Sequence, residues 1–380
     1  MSESDKGISP HLRDTLSVDQ AIQMQFDLVD VIANHFTGSE ILQSGDFGLA
    51  SPNRMPKFTK KVEECLADFF GGKAAVLTRG GGTGAIRYML SGVLKPGDRI
   101  IVNDAPLFPT TKNSLDEMNI QVTRIDYNKT GEIGSAIQEE TKGILIVHSY
   151  DKVADAYDLK KLIELVKSSK FNPIIMTDES YAAMHSQHIG VKLGADLSAF
   201  SLFKLFGPPG ISIVLAGTER GVRILEKVRG TISSGGTIVQ GTEAMDVLRS
   251  IVHAPVMQAI SNRVIKEVVD RINNGEIEGV RRAYASDVHL RHIVVELTDP
   301  IDKKVMDVIS EFGACTWLVG AESRYEIAFA VNSKDEIPEA RIYQEANPEL
   351  EGHILVVIPF RAGADTIIRV LKQGINNARS

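Results

Sequence analysis

Two side chains in the middle of the chain have the types and setting for carbonyl–amine chemistry. An apolar run, Ile174-Ile175-Met176, ends in Asp178-Glu179-Ser180-Tyr181. That pattern is a buried parallel strand carrying an acid to its carboxyl end, where open α/β sheets place ligands. A second short strand, Ser198 to Phe203, leads straight into Lys204 and the breaker Gly207-Pro208-Pro209-Gly210. Between Phe203, Leu205 and Phe206 this lysine has no solvated helix face to occupy. Burial disfavours its charged form, and the uncharged amine is what attacks a carbonyl. Taken singly, an aspartate after a strand is more often an N-cap or turn residue and a lysine near a Gly-Pro turn is usually solvated; their joint placement, with the glycine loop upstream, carries the argument.

A third feature lies upstream. The strand Ala74–Thr78 runs into Arg79-Gly80-Gly81-Gly82-Thr83-Gly84-Ala85. Glycines let the backbone turn sharply, and a helix starting near Thr83 aims free N–H groups and its positive dipole end at an anion. Gly81, Gly82 and Thr83 are therefore candidates for holding a phosphate. An amine and an acid that reach one flat ring from two strand ends, beside a phosphate cup, match pyridoxal phosphate (PLP). In that arrangement the lysine forms the imine and the carboxylate pairs with the pyridinium nitrogen. A rival reading uses the same loop. Gly80, Gly82 and Ala85 also satisfy G-x-G-x-x-A, and the strand Arg99–Val102 ends at Asn103-Asp104, where a dinucleotide fold keeps its ribose-binding acid. That reading leaves Asp178 and Lys204 without a role, so PLP is the favoured cofactor.

The segment from Pro173 to Gly210 resembles the core of the fold-type I PLP-dependent enzymes, the aspartate aminotransferase superfamily. The likeness extends from about Gly45 to the C-terminus. It is closest to a poorly characterised aminotransferase-like group near the class V and cysteine/methionine-metabolism branches. The resemblance implies Lys204 and Asp178 as catalytic residues, with Tyr181 beside the cofactor and Ser201 donating to its phosphate. It also implies a homodimer with shared active sites, in which the Ser233–Thr237 loop, through Gly236 and Thr237, caps the phosphate of the neighbouring site. Phe108, in Ala105-Pro106-Leu107-Phe108-Pro109, stands where the family stacks an aromatic on the pyridine; it reads equally as a core plug. His148 ends a strand on the ligand side and is either a substrate or cofactor contact or a buried structural histidine. Family members usually clamp the substrate carboxylate with an arginine on a late strand. Here Val356 stands at that position, and Arg361 and Arg324 are the available substitutes.

An amino acid or amine substrate follows, with aminotransferase as the leading reaction and a carbon–sulfur lyase or aldolase as the alternative. From other classes come a non-catalytic PLP-binding protein and the dinucleotide-binding oxidoreductase.

The elements that must carry these groups alternate strand and helix from residue 57 onward. They predict an α/β fold, a mostly parallel seven-stranded sheet with helices on both faces, followed by a smaller α+β C-terminal domain. The expected divisions are an N-terminal arm and helix over 1–45, a large PLP-binding domain over 46–255 and a small domain over 256–380. In the first, Val18, Ile22, Phe26, Val29 and Ile32 share helical spacing, behind a loose arm over 1–17. A long helix from about Thr242 to Asn273, kinked at Pro255, is expected to bridge the domains.

A chain of 380 residues, 43% of them hydrophobic, can fill two cores. The formal net charge of −7 and the lack of a basic tract argue against a nucleic-acid partner. Cys65 and Cys315 make no disulfide framework, the amino terminus has no apolar signal core, and no run approaches the roughly 20 apolar residues of a membrane span. A soluble, cytoplasmic protein with no metal site is the expectation.

Overall fold

The computed structural model describes residues 10–48, 54–232, 237–320, 322–333 and 338–380. Residues 49–53 and 233–236, including the candidate Gly236, lie outside them. The chain divides into two compact units. The larger comprises Thr15–Ser149 and Tyr157–Val256; the smaller comprises the described residues of Met1–Asp14, Tyr150–Ala156 and Met257–Ser380.

The larger unit opens with helices Val18–His35 (α1), Gly38–Ile41 (α2) and Lys57–Phe69 (α3), then strand Ala74–Arg79 (β1) and helix Gly81–Val93 (α4). The alternation continues through Arg99–Asn103 (β2), Pro109–Glu117 (α5), Gln121–Ile125 (β3), Thr130–Ala136 (α6) and Thr141–Val147 (β4). Leu159–Lys167 (α7), Ile174–Asp178 (β5), Gly190–Leu193 (α8) and Leu197–Ser201 (β6) follow. Ile211–Ala216 (β7), Glu219–Thr231 (α9) and Gly241–Ile251 (α10) close the unit. The seven strands form one sheet in the order β1-β7-β6-β5-β4-β2-β3. Strand β7 runs antiparallel to both neighbours, and the remaining pairs are parallel.

Because side chains alternate along a strand, each face collects its own core. Val76, Val102, Leu145, Met176, Ala199 and Val214 pack with Ile86, Met89 and Leu90 of α4. Leu77, Phe200, Ile213 and Leu215 pack on the opposite face with Val62 and Leu66 of α3 and Leu248 of α10. The odd–even choice at each strand therefore decides which residues can meet α4.

Two expectations about helices need correction. Helix α1 starts with a Ser17–Gln20 capping box and packs into this core, but through Ala21, Leu28 and Ile32. Phe26 and Val29, expected on the buried stripe, are 57% and 46% exposed. The long helix is two, because the chain breaks at Val252-His253. Pro255 sits in the first turn of Ala254–Asn273 (α11), where its missing N–H removes no hydrogen bond.

The smaller unit carries most of α11 and a four-stranded antiparallel sheet. Its strands are Val280–Ser286 (β8), His292–Leu297 (β9), Ala330–Asn332 (β10) and Ile354–Ile358 (β11), in the order β10-β11-β9-β8. Helices Asp302–Ile309 (α12), Pro338–Ala346 (α13) and Ala364–Arg379 (α14) complete it. In the described part of the arm expected to be loose, one residue is pinned within this unit: the Arg13 N–H donates to Asp287 Oδ2 at 2.7 Å.

Candidate active site

Asp178 is the last residue of β5 and lies in register with Ala199 of β6 and Val147 of β4. It shares the face of Met176, and so looks toward the α4 side of the sheet. Burial pushes its carboxyl up from the ordinary value, and the charge of Glu179 adds to this. Hydrogen bonds from the Ser180 hydroxyl and N–H, then the charge of Lys204, pull it back.

Lys204 lies just past β6, in a 3-10 turn over Phe203–Leu205. The turn is held by Leu205 N–H and Gly207 N–H donating to Leu202 O at 3.0 and 2.9 Å. Residue 207 has to be glycine, since a Cβ there would stand 2.6 Å from that same oxygen. Phe206 takes a left-handed φ of 66°, a strained choice for a bulky residue that aims the turn. Nζ of Lys204 stands 3.3 Å from the centroid of the Tyr181 ring, close enough for the ring face to attract its ammonium form.

The glycine loop forms the third wall. Gly80 and Gly81 take φ of 96° and 61°, and their N–H groups both donate to Gly210 O, at 2.9 and 3.0 Å. This ties the loop to the turn that carries Lys204. Helix α4 begins at Gly81 with no side-chain cap; the Gly81 N–H is spent on Gly210 O, so of the expected phosphate donors Gly82 and Thr83 keep their N–H groups for a ligand and Gly81 does not. A Cβ on Gly82 would stand 3.4 Å from Ser180 Oγ and 3.6 Å from Ser201 Cβ. Gly82, Ser180 and Ser201 therefore converge on one space. A buried acid, an amine and this space fit PLP: the α4 N–H groups and Ser201 would hold its phosphate, Asp178 its ring nitrogen and Lys204 its aldehyde carbon.

Gly84 is the tightest point of the loop. A Cβ there would lie 2.0 Å from Arg79 O. Gly84→Ala is expected to cost about 3 kcal/mol of stability and to weaken PLP binding with it. Urea unfolding and a PLP titration of the purified variant check both.

The other expected residues fall in different places. Thr83 turns its hydroxyl to Thr110 Oγ1 at 3.1 Å, leaving its backbone as the phosphate donor. Phe108 is the N-cap of α5 and 39% exposed, so it is no core plug. Thr237 opens the turn into α10; next to it Ile238 O accepts from Arg79, which is also paired with Glu243 at 2.5 Å. His148 donates its backbone N–H to Asp178 O, but its ring Nδ1 meets Glu179 Oε2 at 2.5 Å. Glu179 lies on the face opposite Asp178 and also accepts from Gly190 N–H at 2.7 Å. Burial alone would raise the Glu179 carboxyl; the His148 charge and hydrogen bonds from His148, Thr177 and Gly190 hold it below the ordinary value.

Arg324 and Arg361 belong to the smaller unit. Arg361 donates to the backbone carbonyls of Ser323, at 2.8 Å, and Glu326, so its fork organises the loop that carries Arg324. Burial lowers the Arg361 pKa, opposed by the charges of Glu326 and Glu322. Val356 is fully buried, in register with Asn332 and Val294.

Ser180 is a site residue that the sequence reading does not single out. Neither does it find the hydroxyl pair of Thr78 and Ser212, 2.8 Å apart, which pave the floor beside Ser201. Ser180 is in plain view, two residues past the acid; the pair needs the sheet order to be seen. Among the described residues no cluster of His, Cys, Asp or Glu could hold a metal ion, and no helix is long and apolar enough to cross a membrane.

Comparisons with known proteins agree with this geometry. Residues 52–252 match the family described as Cys/Met metabolism PLP-dependent enzyme, and residues 266–371 match the YhfS-like C-terminal domain. The chain is 35% identical over 362 residues to the uncharacterized protein YhfS of Escherichia coli K12, covering 95% of this chain and 97% of that one. It is 30% identical over 165 residues to the uncharacterized protein YnbB of Bacillus subtilis 168, covering 38% and 39%. The crystal structure of the pyridoxal-5'-phosphate-dependent protein YhfS from Escherichia coli superposes with a TM-score of 0.91 at 34% identity, over 97% of this chain and 99% of that one. A cystathionine gamma synthase from Xanthomonas oryzae pv. oryzae, in complex with aminoacrylate and cysteine, matches with a TM-score of 0.67 at 18% identity, over 94% and 98%; it speaks to the fold alone. The choice left open at the glycine loop is closed in favour of PLP, and the dinucleotide reading is withdrawn.

Proposed function

The chain belongs to the Cys/Met metabolism family of PLP-dependent enzymes, and from that premise we propose that it is a lyase acting on the side-chain carbon–sulfur bond of an amino acid. The observation that carries this reading is the family match over residues 52–252, which spans every residue placed around Lys204. Amino transfer, the leading reaction on sequence grounds, gives way to the lyase alternative because nothing in that match favours it.

When bound, PLP supplies an electron sink for bonds at the substrate's α-carbon. The chain's own residues do the rest. Asp178 would pair with the ring nitrogen and keep the sink charged. The α4 N–H groups and Ser201 would anchor the phosphate and so fix the ring in place. Lys204 Nζ would be the base for a proton at the α-carbon, and the Tyr181 ring face, 3.3 Å away, would hold its ammonium form. Phe108, exposed at the start of α5, would cover the ring, as the family resemblance implies. We further propose a cytoplasmic homodimer with shared active sites, the arrangement that the resemblance to fold-type I enzymes implies.

A screen without any keto-acid acceptor tests the reaction class. L-cysteine, L-cystathionine and L-methionine are incubated with the PLP-loaded protein, and 2-oxo acid, ammonia and the released thiol (sulfide from cysteine) are measured. The lyase reading expects all three products in equal amounts from at least one of them. Turnover that needs a 2-oxo acid acceptor and releases no thiol would overturn it and restore the aminotransferase.

A further inference from the structure

Ser180 stands between the two ends of the site. Its N–H donates to Asp178 Oδ1 at 2.9 Å, and its hydroxyl makes a second hydrogen bond to the same carboxylate. That Oγ also lies 3.4 Å from the point where a Cβ on Gly82 would stand, at the uncapped start of α4. One side chain thus touches both the acid meant for the ring nitrogen and the space meant for the phosphate. In PLP the ring nitrogen and the carbon bearing the phosphate arm are separated by a single ring carbon. A group that reaches both must run along that edge.

We infer that Ser180 is a positioning residue: it lies along the nitrogen-to-phosphate edge of the cofactor and clips the Asp178 carboxylate in the orientation that accepts the ring N–H. The need for such a clip is physical. Asp178 is buried beside Glu179, and both circumstances favour its protonated form, which cannot pair with a pyridinium. Two donors from one residue oppose them and also stop the carboxylate from rotating. The hydroxyl reaches where the N–H cannot, toward the loop at Gly82. Its removal therefore loosens the cofactor at both ends.

The inference rests on PLP being the cofactor, and the experiment keeps the two apart. Wild type, Ser180→Ala and Ser180→Thr are stripped, checked for folding and titrated with PLP carrying a 15N ring nitrogen. The readouts are the dissociation constant and the 15N shift, which reports whether that nitrogen is protonated. Wild type is expected to hold a protonated ring. Ser180→Ala should bind about tenfold more weakly, with the shift moved toward free pyridine, and Ser180→Thr should restore both. A Ser180→Ala protein with the wild-type shift and affinity overturns the inference and leaves Ser180 a plain turn residue. A wild type that binds no PLP overturns the cofactor reading, and this one with it.

Discussion

Lys204→Ala is expected to abolish the absorbance band of the lysine-bound cofactor, together with its sensitivity to borohydride, and to cut turnover by at least ~10³-fold. The reason is geometric. The turn over 202–207 allows one backbone path, with Gly207 pressed against Leu202 O and Phe206 in a left-handed conformation. A neighbouring amine cannot be brought to the same place by a small shift. Lys204→Arg should fail equally, because a guanidinium can sit over the Tyr181 ring but forms no imine with the aldehyde. PLP should still bind to both variants as the free aldehyde, since the phosphate space at Gly82 and Ser201 is untouched. A borohydride-stable adduct at another residue, or turnover within tenfold of wild type, would show that Lys204 is not the reacting amine.

Much of this site can be read from the chain because it is built from strand ends. A continuous apolar run that stops at a charged residue names both a buried parallel strand and the group at its ligand end. That holds for Ile174–Asp178; the strand expected over Ser198–Phe203 instead ends at Ser201, and Lys204 follows in the 3-10 turn over Phe203–Leu205. The glycine loop is equally legible, since three consecutive glycines after a strand have few other uses. The smaller unit is harder. Strand β8 reads VRRAYAS, and its two arginines hide an alternation that only its pairing with β9 reveals. Helix α13 is short and starts at a proline, which gives it the outward pattern of a loop. On α1 the apolar residues outnumber the buried places, and the packing of Leu28 and Ile32 against α3 decides which stay wet. His148 shows the limit most clearly. Its place at a strand end follows from the pattern, but whether it serves the ligand turns on Glu179, a partner on the opposite face of the sheet.

No local pattern could expose the last pair at all. Strand β1 is the edge of the large sheet, and its outward backbone groups need partners if the edge is not to recruit another strand. Glu63 of α3 accepts from Leu77 N–H at 2.8 Å, and Arg229 of α9 donates to Ala75 O at 3.1 Å. The two side chains then pair with each other at 2.6 Å. Arg229→Met should therefore cost about 1–3 kcal/mol, because it leaves the Ala75 carbonyl unmet and removes the partner of a carboxyl that burial already drives toward its neutral form. Glu63 also links this edge to pH. Burial raises its carboxyl to about 7, against the pull of the Arg229 charge and the hydrogen bonds from Arg229 and Leu77. A carboxyl raised in the folded state binds its proton more tightly there than in the unfolded chain. Its contribution is then complete below the unfolded value of 4.5 and is lost as the pH rises through about 7. Urea unfolding at pH 5 and pH 8 should show wild type losing roughly 2.5 kcal/mol more than Glu63→Gln across that interval. The amide introduced by Glu63→Gln keeps an oxygen to accept from Leu77 but has no proton to lose, so equal pH slopes in the two proteins would mean that Glu63 stays ionised beside Arg229 throughout.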